Sequence, residues 1–161
     1  MNPAQQFSED QRDCLQEVTN VAMGQAADAL ARLLGVFVDL SIPKIEIVEA
    51  KNILSKMKLM VTSDVVSAVR QGFQGASQQD PLRGESIIIF GDTSFCELAS
   101  LMDYEGDVDA AKEAELLLDV SNLINGACLG GLADQFQTEF SYSAPSVIGR
   151  ELHLDQVLDK D

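Results

Sequence analysis

Two short groups of polar residues could do chemistry, because each combines a carboxylate with a carboxamide three residues later. The first group is Glu17 and Asn20, and the second is Asp119 and Asn122. A carboxamide both donates and accepts hydrogen bonds, so it can hold a water in line with an electrophile without changing its protonation state. The carboxylate can pair with a lysine or arginine of a partner. Orienting an attacking water is a large share of the catalytic task in phosphoryl transfer.

These two groups lie at equivalent positions of an internal repeat. A shift of 102 residues aligns residues 11–43 with residues 113–145 without a gap. We therefore expect a single domain, 1–161, in which repeat one covers about 10–105 and a partial repeat two covers about 110–161. The identical pairs include Val18/Val120, Asn20/Asn122, Gly24/Gly126, Leu30/Leu132, Ala31/Ala133, Ser41/Ser143 and Pro43/Pro145.

Both copies have the apolar spacing of an amphipathic helix. The predicted core positions are Leu15, Val18, Ala22, Ala26, Ala29 and Leu33 in the first copy, and Leu117, Val120, Ile124, Cys128 and Gly131 in the second. The opposite, exposed stripe contains Asp13, Glu17, Asn20, Gly24 and Ala31, and then Glu115, Asp119, Asn122, Gly126 and Ala133. Asparagine is a poor former of helix interiors, and a glycine there costs about 1 kcal/mol relative to alanine. Their recurrence on one face indicates a flat docking patch with a projecting carboxylate and amide.

The other segments predict the elements that must support these helices. Residues 45–48, 64–73 and 86–90 are rich in β-branched residues, which predicts strands. A helix is expected to begin at 92–94, with Ser94 and Glu97 at capping-box spacing, and to run to about Met102. Residues 104–109 form an acidic linker, and the chain after Pro145 has room for one strand and a short helix at 154–158. The predicted fold class is α/β (α+β).

Composition and charge exclude several classes of protein. The 161 residues carry 11 Lys+Arg and 26 Asp+Glu, a net charge of −15, with 46 % hydrophobic residues. This composition is typical of a globular protein, and its charge argues against nucleic acid or an anionic membrane as partner. The first residues carry no signal peptide pattern, so we expect a cytoplasmic protein.

Few residues could hold a metal or a cofactor. The three cysteines, Cys14, Cys96 and Cys128, are far apart and fit buried free thiols, and His153 is the single histidine. A His-based triad and a His-ligated metal site are therefore not expected, and no phosphate loop or dinucleotide motif appears. We expect no cofactor and no metal of the protein's own.

The doubled motif resembles that of the CheC/CheX/FliY phosphatases, which act on phosphorylated CheY-type response regulators in chemotaxis. The family pattern is an acid or serine, then Glu, Asn and a proline after about 22 residues. The first copy matches it with Asp13, Glu17, Asn20 and Pro43, and the second with Glu115, Asp119, Asn122 and Pro145. The resemblance is closest to CheC, because CheC also carries two motifs.

This resemblance implies a fold with two pseudo-symmetric motif helices packed on a mainly antiparallel sheet. It also implies hydrolysis of the aspartyl phosphate of a receiver domain, with Asn20 and Asn122 aligning the water and with Glu17 and Asp119 binding the receiver's lysine. Mg²⁺ would come from the response regulator. A CheD-like protein is a possible partner by the same resemblance. The second repeat lacks the long strand pair of the first, so a homodimer that covers the open sheet edge is expected.

Three other readings of the stripe stay open at this point. Asp119 is one methylene shorter than the family's usual Glu, which ranks the first site above the second and mildly favours a noncatalytic module that binds a response regulator or a flagellar partner. The stripe could instead be an ordinary solvated helix face. In a plain structural dimer, neither asparagine would matter for any activity.

Overall fold

A computed structural model describes residues 7–76, 82–91, 95–102 and 109–158. Within these residues, α-helices combine with a four-stranded antiparallel sheet, which confirms the predicted fold class. The elements in chain order are α1 (Glu9–Leu34), a 3-10 turn (Ala50–Asn52), α2 (Ile53–Met60), β1 (Val65–Gly75), β2 (Arg83–Gly91), α3 (Phe95–Leu101), α4 (Ala110–Gln135), β3 (Phe140–Tyr142), β4 (Ser146–His153) and a second 3-10 turn (Leu154–Val157).

Local signals in the sequence fix the ends of the two long helices. The Ser8 side chain accepts a hydrogen bond from the Gln11 N–H and the Gln11 side chain accepts one from the Ser8 N–H, so α1 begins with a capping box. Helix α1 ends where Gly35 takes a left-handed conformation, φ 65°. The Asp109 carboxylate accepts bonds from the first N–H groups of α4, and the bond from the Lys112 N–H is the main reason that the pKa of Asp109 lies below its usual value.

The sheet is built around β1. Strand β2 pairs antiparallel with β1 along almost its whole length, from Val66 opposite Gly91 to Gln74 opposite Arg83. Strands β3 and β4 share the other side of β1, and the β4 pairing is interrupted by irregularities near Ala68. Strand β1 is thus the central strand of the described sheet.

Both faces of β1 are covered. One face carries Val66 and Ala68, which form a core with Ile148 of β4 and with the C-terminal turn, and Met57 of α2 packs against this core. The alternate residues of β1 point to the opposite face, where α4 lies across the strand. This double cover explains why β1 is buried in a continuous run rather than on alternate residues.

Helices α1 and α4 pack against each other as an antiparallel pair. A side-chain atom added at Gly131 of α4 would lie 3.0 Å from the Cα of Ala22 in α1, so the two backbones approach closely there. The Sγ of Cys128 lies 3.4 Å from the Sδ of Met23. Further along, Leu30 of α1 packs against the buried cluster that contains Leu116 and Val120 of α4.

Several sequence predictions are confirmed, and others are wrong. Strands β1, β2 and β4 and the C-terminal turn lie close to their predicted positions. The strand predicted at 45–48 is absent, because β propensity produces a strand only where a neighbour completes the ladder, and no described strand pairs with this segment. Helix α2 and the short strand β3 were not predicted. The predicted helix start at 92–94 and residues 104–108 of the predicted linker lie outside the described residues, as do the side chains of Cys96 and Glu97.

The predicted helix faces need two corrections. Leu33, placed in the core, is 45 % exposed, whereas the adjacent Leu34 is buried at 9 % exposure and continues the line of Ala22, Ala26 and the half-buried Leu30 along α1. Ala133, placed on the exposed stripe, is buried at 7 % exposure, close to the crossing with α1. Cys14 is also exposed rather than buried, whereas burial raises the pKa of the half-buried Cys128 thiol.

Helix α4 is long and apolar enough to cross a membrane by length and composition alone. Its most apolar 18-residue window has a mean hydropathy of 1.4. Eight of its residues are buried against α1 and the sheet, as in the core helix of a soluble protein. The apolar character of α4 is therefore explained by its central position in the fold.

Candidate functional site

The four predicted catalytic residues lie on the exposed face of the two long helices. Glu17 and Asn20 are in the middle of α1, and Asp119 and Asn122 are at the equivalent positions of α4. All four side chains are exposed to solvent. The amides are therefore accessible to a partner, as a docking surface requires.

The supporting positions on these helices complete what we call the motif stripes. Asp13 and Gly24 extend the first stripe, Glu115 and Gly126 extend the second, and all four are exposed. A Cβ added at Gly24 or Gly126 would meet no atom within 4 Å, so packing inside the protein does not require glycine at either position. What the glycines do provide is a flat surface beside each amide.

The two motif prolines lie at the start of the segments that return from the helices. Both Pro43 and Pro145 are half-buried, and Pro145 directly precedes β4. The Pro43 carbonyl accepts a hydrogen bond from the Gln16 Nε2 at 2.5 Å. Pro43 thus ties its segment to α1 next to Glu17.

The antiparallel packing separates the two amides along the helix pair. Because Gly131 lies beside Ala22 and Cys128 beside Met23, Asn20 lies opposite the part of α4 near Gly131. From there to Asn122 is nine residues, or roughly 13 Å at about 1.5 Å per residue. The two predicted sites therefore lie at separate positions along the helix pair.

The chemistry that these sites can perform is limited by their side chains. Each offers a carboxylate and a carboxamide, and the nearby ion pair between Arg12 and Asp13 is 3.7 Å long and exposed, so it stabilises little. Within the described ranges, no group of three or more His, Cys, Asp or Glu side chains is arranged to hold a metal ion. The arrangement suits docking and orientation of a reactive group supplied by a partner.

Comparison with known proteins gives the fold a family context. Residues 11–47, which include Asp13, Glu17, Asn20 and Pro43, match the model of the CheC-like family. The fold is similar to that of FliY from Thermotoga maritima, with a TM-score of 0.68 and 21 % identity, covering 92 % of this chain and 72 % of that one. The first motif thus matches the CheC-like family, and the chain shares its fold with FliY. A CheC-like superfamily protein from Shewanella sp. PV-4 is also similar, with a TM-score of 0.58 and 18 % identity over 85 % of this chain and 79 % of that one.

Within this family the comparisons do not single out CheC, so the closer likeness to CheC remains a prediction from the doubled motif. The family-model match lies wholly in repeat one. The comparisons therefore show a CheC-like fold and a family-model match to the first motif, while the roles of the individual residues remain predictions.

Sequence reasoning missed one buried polar residue beside the second motif. Asn125, one turn after Asn122, is only 3 % exposed and lies between α4 and the sheet. The available signal was the repeat itself, because Asn125 aligns with the apolar Met23. An amide on the apolar face of a core helix indicates a buried hydrogen-bond partner elsewhere in the fold.

Proposed function

We propose that this protein accelerates the hydrolysis of the aspartyl phosphate on a CheY-like response regulator. The observation that carries the proposal is the exposure of Asn20 and Asn122 at matched positions in the middle of two long helices. Asparagine weakens a helix interior, so helix stability does not account for either residue. The family context supports the same activity.

In this proposal the two polar residues of each site have separate roles. The carboxamide of Asn20 or Asn122 enters the receiver's active site and holds the attacking water in line with phosphorus. The carboxylate of Glu17 or Asp119 pairs with the receiver's lysine, which anchors the complex. Mg²⁺ belongs to the receiver, so the protein needs no metal of its own.

The first site is expected to be the more active. Asp119 is one methylene shorter than Glu17, so its carboxylate reaches less far toward the receiver. Misplacement by about 1 Å is enough to cost about 100-fold in rate. The family-model match, which covers the first motif, favours the same ranking.

A dephosphorylation time course tests the activity directly. CheY-like receiver domains are phosphorylated with acetyl phosphate, the donor is removed, and the phosphate half-life is measured with and without a tenth of an equivalent of this protein. We expect a shorter half-life and several turnovers per protein molecule. An unchanged half-life across a panel of receivers would contradict the proposal.

The second candidate function is a noncatalytic module that binds the same kind of partner. The shortened acid at Asp119 favours this alternative for the second site. It predicts a stable complex with the phosphorylated receiver and no change in phosphate half-life. The time course and a pull-down of the same receiver therefore distinguish the two functions.

Replacing the motif glycines Gly24 and Gly126 should stabilise the fold while it weakens docking of the receiver. Gly24→Ala together with Gly126→Ala should raise the free energy of unfolding by about 1 kcal/mol per site, since alanine favours a helix and each added Cβ meets no atom within 4 Å. The same methyl groups should weaken receiver docking, because they stand on the flat surface beside each amide. Urea denaturation and the KM for phosphorylated receiver check the two effects.

Gly130→Ala is the matched control, because a Cβ there also meets nothing within 4 Å and the position lies outside the repeated motif. It should stabilise the protein and leave the KM unchanged. If the KM for the double variant at Gly24 and Gly126 stays at its original value, docking does not use the glycine surface.

We further propose a cytoplasmic homodimer that covers the outer edge of β2. In the described part of the sheet, β2 pairs with β1 alone, so one row of its backbone groups lacks a strand neighbour. Light scattering on the eluted protein should give twice the monomer mass, and a monomer mass would contradict the dimer. A CheD-like protein is a second proposed partner, and co-elution of the two purified proteins would test it.

A further inference from the structure

A buried polar cluster joins α4 to the sheet beneath the second site. The Nδ2 of Asn125 donates a hydrogen bond to the Oε1 of Gln71 at 2.9 Å, and the Ser86 hydroxyl donates to the Oδ1 of Asn125 at 2.6 Å. Asn125 is 3 % exposed and Gln71 is 7 % exposed. Buried polar groups are costly when unpaired, so these bonds permit few alternative arrangements of α4 on β1 and β2.

The cluster continues into the segment that follows α4. The Nε2 of Gln71 donates to the Ser143 carbonyl at 2.9 Å, and the Ser143 hydroxyl accepts a bond from the Gly72 N–H at 3.0 Å. Ser143 lies two residues before the motif proline Pro145. Helix α4, the central strand and the motif segment of repeat two are therefore connected through directional bonds.

The first site has a different support. The residue of α1 that aligns with Asn125 is Met23, whose thioether sulfur contacts the Cys128 thiol at 3.4 Å. Methionine packs adaptably and imposes little orientation. Helix α1 is instead connected to its own motif segment by the bond from Gln16 to the Pro43 carbonyl. The two sites have matching exposed residues, but α4 is oriented by buried hydrogen bonds at the position where α1 has only a methionine contact.

We propose that Asn125 is a positioning residue for the second site, which it serves by fixing the rotation of α4 on the sheet. The proposal rests on the function proposed above. Asn122 precedes Asn125 by one turn, and its amide lies about 6 Å from the helix axis. A rotation of α4 by about 20° would therefore move that amide by about 2 Å, more than the misplacement of about 1 Å that costs about 100-fold in rate.

The test uses variants in which one site remains. Asn20→Ala leaves the second site, and Asn122→Ala leaves the first. Into each we introduce Asn125→Leu with Gln71→Leu, because replacing both partners of their mutual buried bond by apolar groups of similar size preserves folding far better than removing one. The Ser86 hydroxyl and the Ser143 carbonyl also lose a partner, but Ser86 is half-buried and Ser143 is exposed, so water can replace those bonds. In the Asn20→Ala protein we expect kcat to fall at least tenfold with KM within twofold.

In the Asn122→Ala protein the same leucine pair should leave kcat within twofold. A merely structural role for Asn125 would lower the activity of both sites together, and that result would overturn the proposal. Met23→Leu is the matched control at the aligned position of α1. It should change kcat of neither single-site protein by more than twofold.

A readout without a receiver separates this proposal from the proposed function. In NMR spectra of the leucine pair, we expect shifted or broadened signals from residues 115–119, which lie more than one turn from the substituted position 125, and unchanged signals from the exposed residues Glu17 and Asn20. Unchanged signals at 115–119 would overturn the positioning role whatever the activity. If neither single-site protein accelerates dephosphorylation while the signals at 115–119 do change, the proposed function fails and the rotational restraint on α4 stands.

Discussion

The combined variant Asn20→Ala and Asn122→Ala should lose at least about 100-fold of the acceleration of receiver dephosphorylation, because no carboxamide then holds the attacking water. Binding of a receiver activated by beryllofluoride should change by less than threefold, since Glu17 and Asp119 remain to pair with its lysine. The free energy of unfolding should rise by about 0.6 kcal/mol per site, because both amides are exposed in helix interiors. Phosphate half-life, binding and urea denaturation measure the three effects.

Asn52→Ala is the control for this experiment. Asn52 is exposed and precedes α2, where its side chain makes no capping bond. Removal of its amide should leave the phosphate half-life within twofold of the original protein. Retention of full acceleration by the double variant at Asn20 and Asn122 would exclude both amides from the chemistry.

The second large effect concerns the helix crossing. Gly131→Leu should lower the free energy of unfolding by about 3 kcal/mol. A Cβ at this position would already lie 3.0 Å from the Cα and 3.1 Å from the Cβ of Ala22, and the Gln25 side-chain oxygen is closer still. Because the nearest atoms include backbone, α1 and α4 must move apart to accept any side chain. The midpoint of urea denaturation measures the loss.

The neighbouring glycine offers a sharp comparison. A Cβ at Gly130 meets nothing within 4 Å, so Gly130→Ala should raise the free energy of unfolding by up to about 1 kcal/mol. Substitutions at two adjacent glycines of one helix are thus expected to change the free energy of unfolding in opposite directions. An unaltered denaturation midpoint for Gly131→Leu would show that the helices do not cross where the structure places them.

The parts of the fold that depend on local pattern could be predicted from the sequence. The 3.6-residue apolar spacing located both long helices, and the β-branched runs located β1 and β2. The same spacing placed Glu17, Asn20, Asp119 and Asn122 on exposed faces, as the structure has them. These features are encoded within a few neighbouring residues, so a single sequence is sufficient.

The parts that depend on distant contacts could not be predicted in this way. Ile45 and Ile47 have strand propensity, but a strand needs a neighbour that the local sequence does not reveal. The apolar spacing placed Leu33 in the core, yet the contacts of α1 with α4 bury the adjacent Leu34 instead. The partner of Asn125 is Gln71, 54 residues away, and no periodicity indicates that pairing.

The unequal support of the two helices has a consequence for how the molecule opens. Helix α4 is held between α1 and the sheet, while the contacts of α1 are mainly with α4. Native proteins release their least supported units first, at a free energy below that of global unfolding. We expect α1 to detach in such a subglobal event with the α4–sheet unit still folded. Mildly denaturing conditions that detach α1 would then remove the activity proposed for the site at Asn20 and keep the activity proposed for the site at Asn122.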